Sequence, residues 1–107
     1  MNITEAVKAA LKDFGLTNAA GLISLVLAMQ PQAEIYSVIS EHTMTQLREV
    51  TGFSSPKMTR ITQRLASCGV IEVITNHMVS PGNIPVYRKS VKFTREFVEK
   101  FFEHLES

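Results

Sequence analysis

The sequence predicts an α+β fold, mainly α, on three observations. Apolar residues recur at spacings of three and four near both ends of the chain, two helix-start signals flank Gly52, and a β-branched run follows with a Pro-Gly turn behind it. The 107 residues form one domain, with N-terminal helices over 1–30, paired helices over 43–69, a hairpin over 70–93 and a closing helix over 94–107. At 45% hydrophobic and 20% charged the composition is that of a globular domain, and with no Trp the core is aliphatic.

Ile3, Ala6, Val7, Ala10, Leu11 and Phe14 mark a first amphipathic helix, which Gly15 stops. Thr17 or Asn18 is placed to cap a second helix running to about Gln30, apolar almost all round and so expected to be buried. Pro31 breaks it. Residues 33–41 (AEIYSVISE) fit a helix by spacing and a strand by β-branching, with helix preferred.

Thr43 and Gln46 form a T-x-x-Q capping box, Leu47 and Val50 give the helix behind it an inward face, and Gly52 ends it. Ser54 caps the next helix, Pro56 sits in its first turn, and Phe53 can pack on Met58. Met58, Ile61, Leu65 and Cys68 form one apolar stripe up to Gly69. The other face carries Lys57, Thr59, Arg60, Gln63 and Arg64, with no acid among them. Two short helices about a glycine turn make a helix-turn-helix with a basic second helix.

Val70 to Thr75 reads as a strand, Ser80-Pro81-Gly82-Asn83 as a turn, and Val86 to Phe93 as a returning strand, giving a two-stranded hairpin. Along the return, Arg88, Ser90 and Lys92 alternate with Tyr87, Val91 and Phe93, and Lys89 interrupts the inner row. Thr94 caps a last helix with a stripe of Phe97, Val98, Phe101, Phe102 and Leu105. Helix, helix, turn, basic helix, hairpin is the order of a winged helix-turn-helix.

The net charge of +1 hides a strong segregation. Ser54 to Arg95 holds seven Lys and Arg against Glu72 alone, a net of +6, and the rest of the chain carries −5. One surface is therefore expected to meet a polyanion. In a helix-turn-helix the second helix enters the major groove of double-stranded DNA. Lys57 and Arg60 can donate to guanine and Gln63 can pair with adenine, with Thr59 and Arg64 beside them. Ser54 and Ser55 at the helix start, and Thr43 and Thr45 at the start of the preceding helix, suit phosphate. In the hairpin, Arg88, Lys89 and Lys92 suit phosphates and Asn83 at the tip approaches the minor groove, where no Arg stands.

Residues 43–75 resemble the multiple-antibiotic-resistance regulator (MarR) family. That family commonly reads T-x-x-E-L-A-E-x-T-G-L-S, then V-T-R-x-V-x-x-L, then G-L-V; here the chain reads T-M-T-Q-L-R-E-V-T-G-F-S, M-T-R-I-T-Q-R-L and G-V-I, with K-F-T at 92–94 for a wing strand ending L-T. The family's acidic and paired-arginine wing residues have no counterpart in Pro85-Val86-Tyr87. The resemblance implies a homodimeric DNA-binding transcriptional regulator, most simply a repressor, with terminal helices at the dimer interface. The residues expected there are Ile3, Val7 and Leu11 at one end and Phe97, Phe101, Phe102 and Leu105 at the other, with packing onto the chain's own core as the alternative.

Other classes find less support. There is no phosphate loop, no G-x-S-x-G and no Cys-His pairing, so an enzyme is not expected. His42, His77 and His104 lack metal-ligand spacing, Cys68 reads as a small hydrophobe, and a single cysteine excludes an internal disulfide. No cofactor is expected, and nothing in the sequence supports a small-molecule effector. The longest apolar stretch, Ala19 to Met29, is too short for a membrane span, and a cytoplasmic protein is expected. Two rivals remain: a plasmid or phage partition or replication adaptor on DNA repeats, and a winged-helix module that binds protein.

Overall fold

A computed structural model describes residues 1–17, 19–29, 41–79 and 81–107, without the side chain of Met78. Residues 33–40 of the segment that fits either helix or strand, with Asn18 and Gln30, lie outside the described residues. The elements run α1 (Ile3–Asp13), α2 (Ala20–Ala28), β1 (His42–Thr43), α3 (Met44–Thr51), α4 (Ser55–Ser67), β2 (Ile71–Val79), β3 (Pro85–Phe93) and α5 (Arg95–Glu106). This is the arrangement of a winged helix-turn-helix.

Local signals account for most of the helix ends. The Asn2 side chain accepts from the Glu5 N–H at 2.8 Å to start α1. Thr43 accepts from the Gln46 N–H at 3.2 Å while the Gln46 carboxamide accepts from the Thr43 N–H at 3.4 Å, so both arms of the capping box form. Gly52 closes α3 at φ +72°, a conformation any side chain would strain. Ser54 starts α4 by accepting from the Lys57 N–H. Only α2 departs: its N-cap is Ala19, which offers no side-chain bond, and Thr17 does not cap it. Burial of Leu22, Leu25 and Val26, rather than capping, fixes that helix.

The sheet has three strands in the order β1-β3-β2: the expected two-stranded hairpin forms as β2 and β3, and β1 adds a third strand that was not expected. The added strand is His42 and Thr43, paired with Val91 and Ser90 of β3. Thr43 must be extended to serve as an N-cap, and that same geometry lets it join the ladder. Burial lowers the His42 pKa, opposed by a hydrogen bond with the Met29 backbone. Strand β2 starts at Ile71 and pairs with β3 through Val79↔Pro85, past the expected end at Thr75.

The core lies where α1, α5 and the foot of the hairpin meet. Phe97 is fully buried, stacked on Phe93 at 5.3 Å and edge-on to Phe14 at 5.6 Å. Burial of each such side chain stabilises by about 1.5–3 kcal/mol. Thr94 caps α5 by accepting from the Phe97 N–H and donates to the Gly69 carbonyl at 2.6 Å, tying α5 to the end of the helix-turn-helix. His104 pairs with Asp13, joining the C-terminal ends of α5 and α1.

That packing corrects the expected dimer face at five positions. Val7, Leu11, Phe97, Phe101 and Phe102 are 0–4% exposed within one chain, because α1 and α5 pack on each other. They have no surface left for a partner. Ile3 keeps 53% of its surface, and Leu105 is half-buried against the core.

Candidate nucleic-acid interface

Helix α4 divides cleanly into an inner and an outer face. Met58 and Leu65 are buried, and Ile61 and Cys68 are half-buried against the same core. Thr62 is buried too, which the apolar stripe did not include. Its hydroxyl donates to the Met58 and Thr59 carbonyls, so the helix backbone satisfies it and the core accepts it.

Every residue singled out on the opposite face is exposed: Ser54, Ser55, Lys57, Thr59, Arg60, Gln63 and Arg64. Thr59 donates to the Ser55 carbonyl at 3.0 Å, leaving its hydroxyl oxygen outward as an acceptor. Lys57 Nζ lies 4.4 Å from the centre of the Phe53 ring, a cation–π contact that orients the ammonium at the helix start. Phe53 thus supports Lys57, a role that the hydrophobic-staple signal alone did not reveal.

Lys57, Arg60, Ile61 and Arg64 of α4 also line one side of an open groove of about 300 Å³, with Ala19, Gly21 and Leu22 at the start of α2 on the other side. A glycine makes this closeness of α2 and α4 possible. A Cβ at Gly21 would stand 2.9 Å from Ile61 Cδ1, so any larger residue must push that side chain aside. Long cationic side chains can lay their carbon stems along such an apolar wall and keep their charged heads in water. Sequence spacing places the three cations in one row on a helix, but the apolar wall comes from α2 and was not legible.

Thr45 is exposed and Thr43 half-buried in its cap at the start of α3. In the hairpin, Arg88 and Lys89 are exposed on opposite faces, since Arg88 pairs with Asn76 and Lys89 with Thr75 in successive register positions. Lys89 keeps the inward parity of Val91 and Phe93 but stands where the hairpin has already left the core. Tyr87, two positions further out, is 62% exposed for the same reason, a correction to its expected inner place. Ser90 shares parity with Arg88 yet is buried, its hydroxyl donating to Glu41 at 3.1 Å.

Lys92 differs from the other two cations of the wing. It lies 3.8 Å from Glu72, its cross-strand partner, with 35% of its side chain exposed. Asn83 stands at the tip at φ +59° beside Gly82 at φ +96°, the pair that turns the chain back.

No protein-family model and no curated protein matches the chain. Among solved structures, the chain is similar to one described as "Structure of Disulfide formed AbfR", with a TM-score of 0.53 and 18% identity, over 96% of this chain and 67% of that one. At that identity the likeness is one of fold, and it spans nearly the whole of the winged-helix arrangement. No helix among the described residues is long and apolar enough to cross a membrane.

Proposed function

We propose that the chain is a sequence-specific double-stranded DNA-binding protein, acting as a homodimeric transcriptional repressor of the MarR-like type. The observation that carries this reading is the outer face of α4, five exposed donors and cations from Lys57 to Arg64 on a helix whose inner face is locked into the core. A rigid helix with its N-terminus free is what a major groove admits. Arg60 and Gln63 read base edges; Lys57, Arg64, Ser54 and Ser55 hold phosphates; and Arg88 and Lys89 hold phosphates from the wing. No catalytic step and no cofactor enters this role. The dimer rests on the resemblance of residues 43–75, with Ile3 and Leu105 as the apolar surface left to it near the chain ends.

The test is the salt dependence of duplex binding. Log K should fall linearly with log salt, at about 0.9 per phosphate neutralised. Lys89→Ala should lower that slope by about 0.9 per contact made. Lys92→Ala should change it much less, because Glu72 already neutralises Lys92. Binding that is insensitive to salt contradicts the reading.

A further inference from the structure

Beyond Lys89 the hairpin leaves the body of the protein, and its outer end is apolar. Val79 is 73% exposed, Ile84 63%, Tyr87 62% and Val86 41%, with Pro81 and Pro85 exposed between them. From Lys89 to Pro85 the strand reaches out roughly 13 Å at about 3.3 Å per residue. This arm is stiff: the nine-residue ladder runs unbroken to Val79↔Pro85, and His77 meets Tyr87 edge-on at 4.8 Å just below the tip. A soluble domain that projects a cluster of apolar side chains on an arm presents them to a partner.

Charge identifies the partner. No Asp or Glu occurs between Glu72 and Glu96, and Arg88 and Lys89 stand directly behind the apolar end. An acid-free arm with cations at its base fits a polyanion. An anionic lipid surface and duplex DNA opened at a base step both offer apolar surface beside negative charge; the exposed cationic face of α4 in the same winged helix-turn-helix favours DNA, whose stacked ring faces become accessible from the minor groove. No Arg stands at the tip, so the electrostatic reading of a narrow minor groove is not its chemistry.

We propose that the hairpin tip is a wedge. Ile84, flanked by Pro81 and Pro85, enters the minor groove beside the site held by α4, partly unstacks one base step and bends the duplex, while Arg88 and Lys89 hold the phosphates on either side. This rests on the DNA-binding reading and adds to it a deformation that selects for pliable steps at positions no side chain reads.

The test needs no known operator. The full chain is offered two mixed-sequence duplexes of equal length at low salt, one intact and one with a pair of adjacent mismatches. Since unstacking is already supplied in the second, the protein should prefer it by roughly tenfold or more. Energy transfer between duplex ends should report a bend on the order of 20–90°. The double variant Val79→Ser/Ile84→Ser should lose both effects and keep its salt slope, because it removes no charge. Its melting temperature serves as the control for folding, both positions being exposed. Wild-type protein that binds both duplexes equally and leaves them straight overturns the wedge alone, as does a double variant that retains preference and bend. An absence of any duplex binding overturns the wedge together with the reading beneath it.

Discussion

Replacing Arg60 by Ala will weaken binding to the preferred duplex by about 1–3 kcal/mol, roughly five- to 150-fold, and relax selectivity at one base pair. Arg60 is exposed at the middle of the outer face of α4, three residues from both Lys57 and Gln63. A bidentate pair with guanine is the strongest base contact available to this helix. The same substitution will leave folding stability almost unchanged, since the side chain is exposed and lines an open groove with Leu22 and Ile61. Competition between preferred and mixed-sequence duplexes checks the assignment. A loss confined to the preferred duplex identifies a base reader, whereas an equal loss on both moves Arg60 to the phosphates.

Phe97→Ala will destabilise the fold by about 3–5 kcal/mol, a large share of the roughly 5–15 kcal/mol that holds a domain of this size together. The Phe97 ring joins several parts of the molecule. Phe97 is fully buried, stacks on Phe93 at the foot of β3, meets Phe14 at the end of α1, and follows the Thr94 cap that bonds back to Gly69. Losing the ring leaves a cavity among groups held by three different elements, which cannot collapse together. Urea unfolding measures the effect: the midpoint should fall with little change in slope. A loss below about 1 kcal/mol would mean that α5 does not depend on this contact, a value typical of surface changes.

These two residues also show where the sequence was legible. The face of α4 bearing Arg60 is defined by local signals, since Ser54, Pro56 and the stripe from Met58 to Leu65 fix both the start of the helix and its orientation. Gly52 and the Thr43–Gln46 box fixed the two ends of α3, but of its expected inward pair only Leu47 is buried, and Val50 is 70% exposed. The stripe bearing Phe97 was equally legible as a stripe, but periodicity gives a face and not what it faces. Whether Phe97, Phe101 and Phe102 meet α1 of their own chain or a second subunit depends on contacts distant in sequence, and in the structure α1 takes them.

Short or projecting elements left weaker traces. Strand β1 has two residues, too few for an alternation to register, and it exists because β3 is beside it. Tyr87 reads as an ordinary inward apolar position and Val79 lies past the strand expected to end at Thr75, yet the ladder carries both beyond the core, so only tertiary placement reveals the apolar tip. The groove beside Lys57, Arg60 and Arg64 depends on Gly21, a small residue inside an apolar run whose purpose becomes visible only with Ile61 opposite it.

The most direct test is to follow backbone amide resonances as a mixed-sequence duplex is titrated into the protein at low salt. Changes concentrated on residues 54–64, with a second set at the start of α3 and along the hairpin, are the predicted result. Changes confined to α1 and α5, or none at saturating duplex, would contradict it.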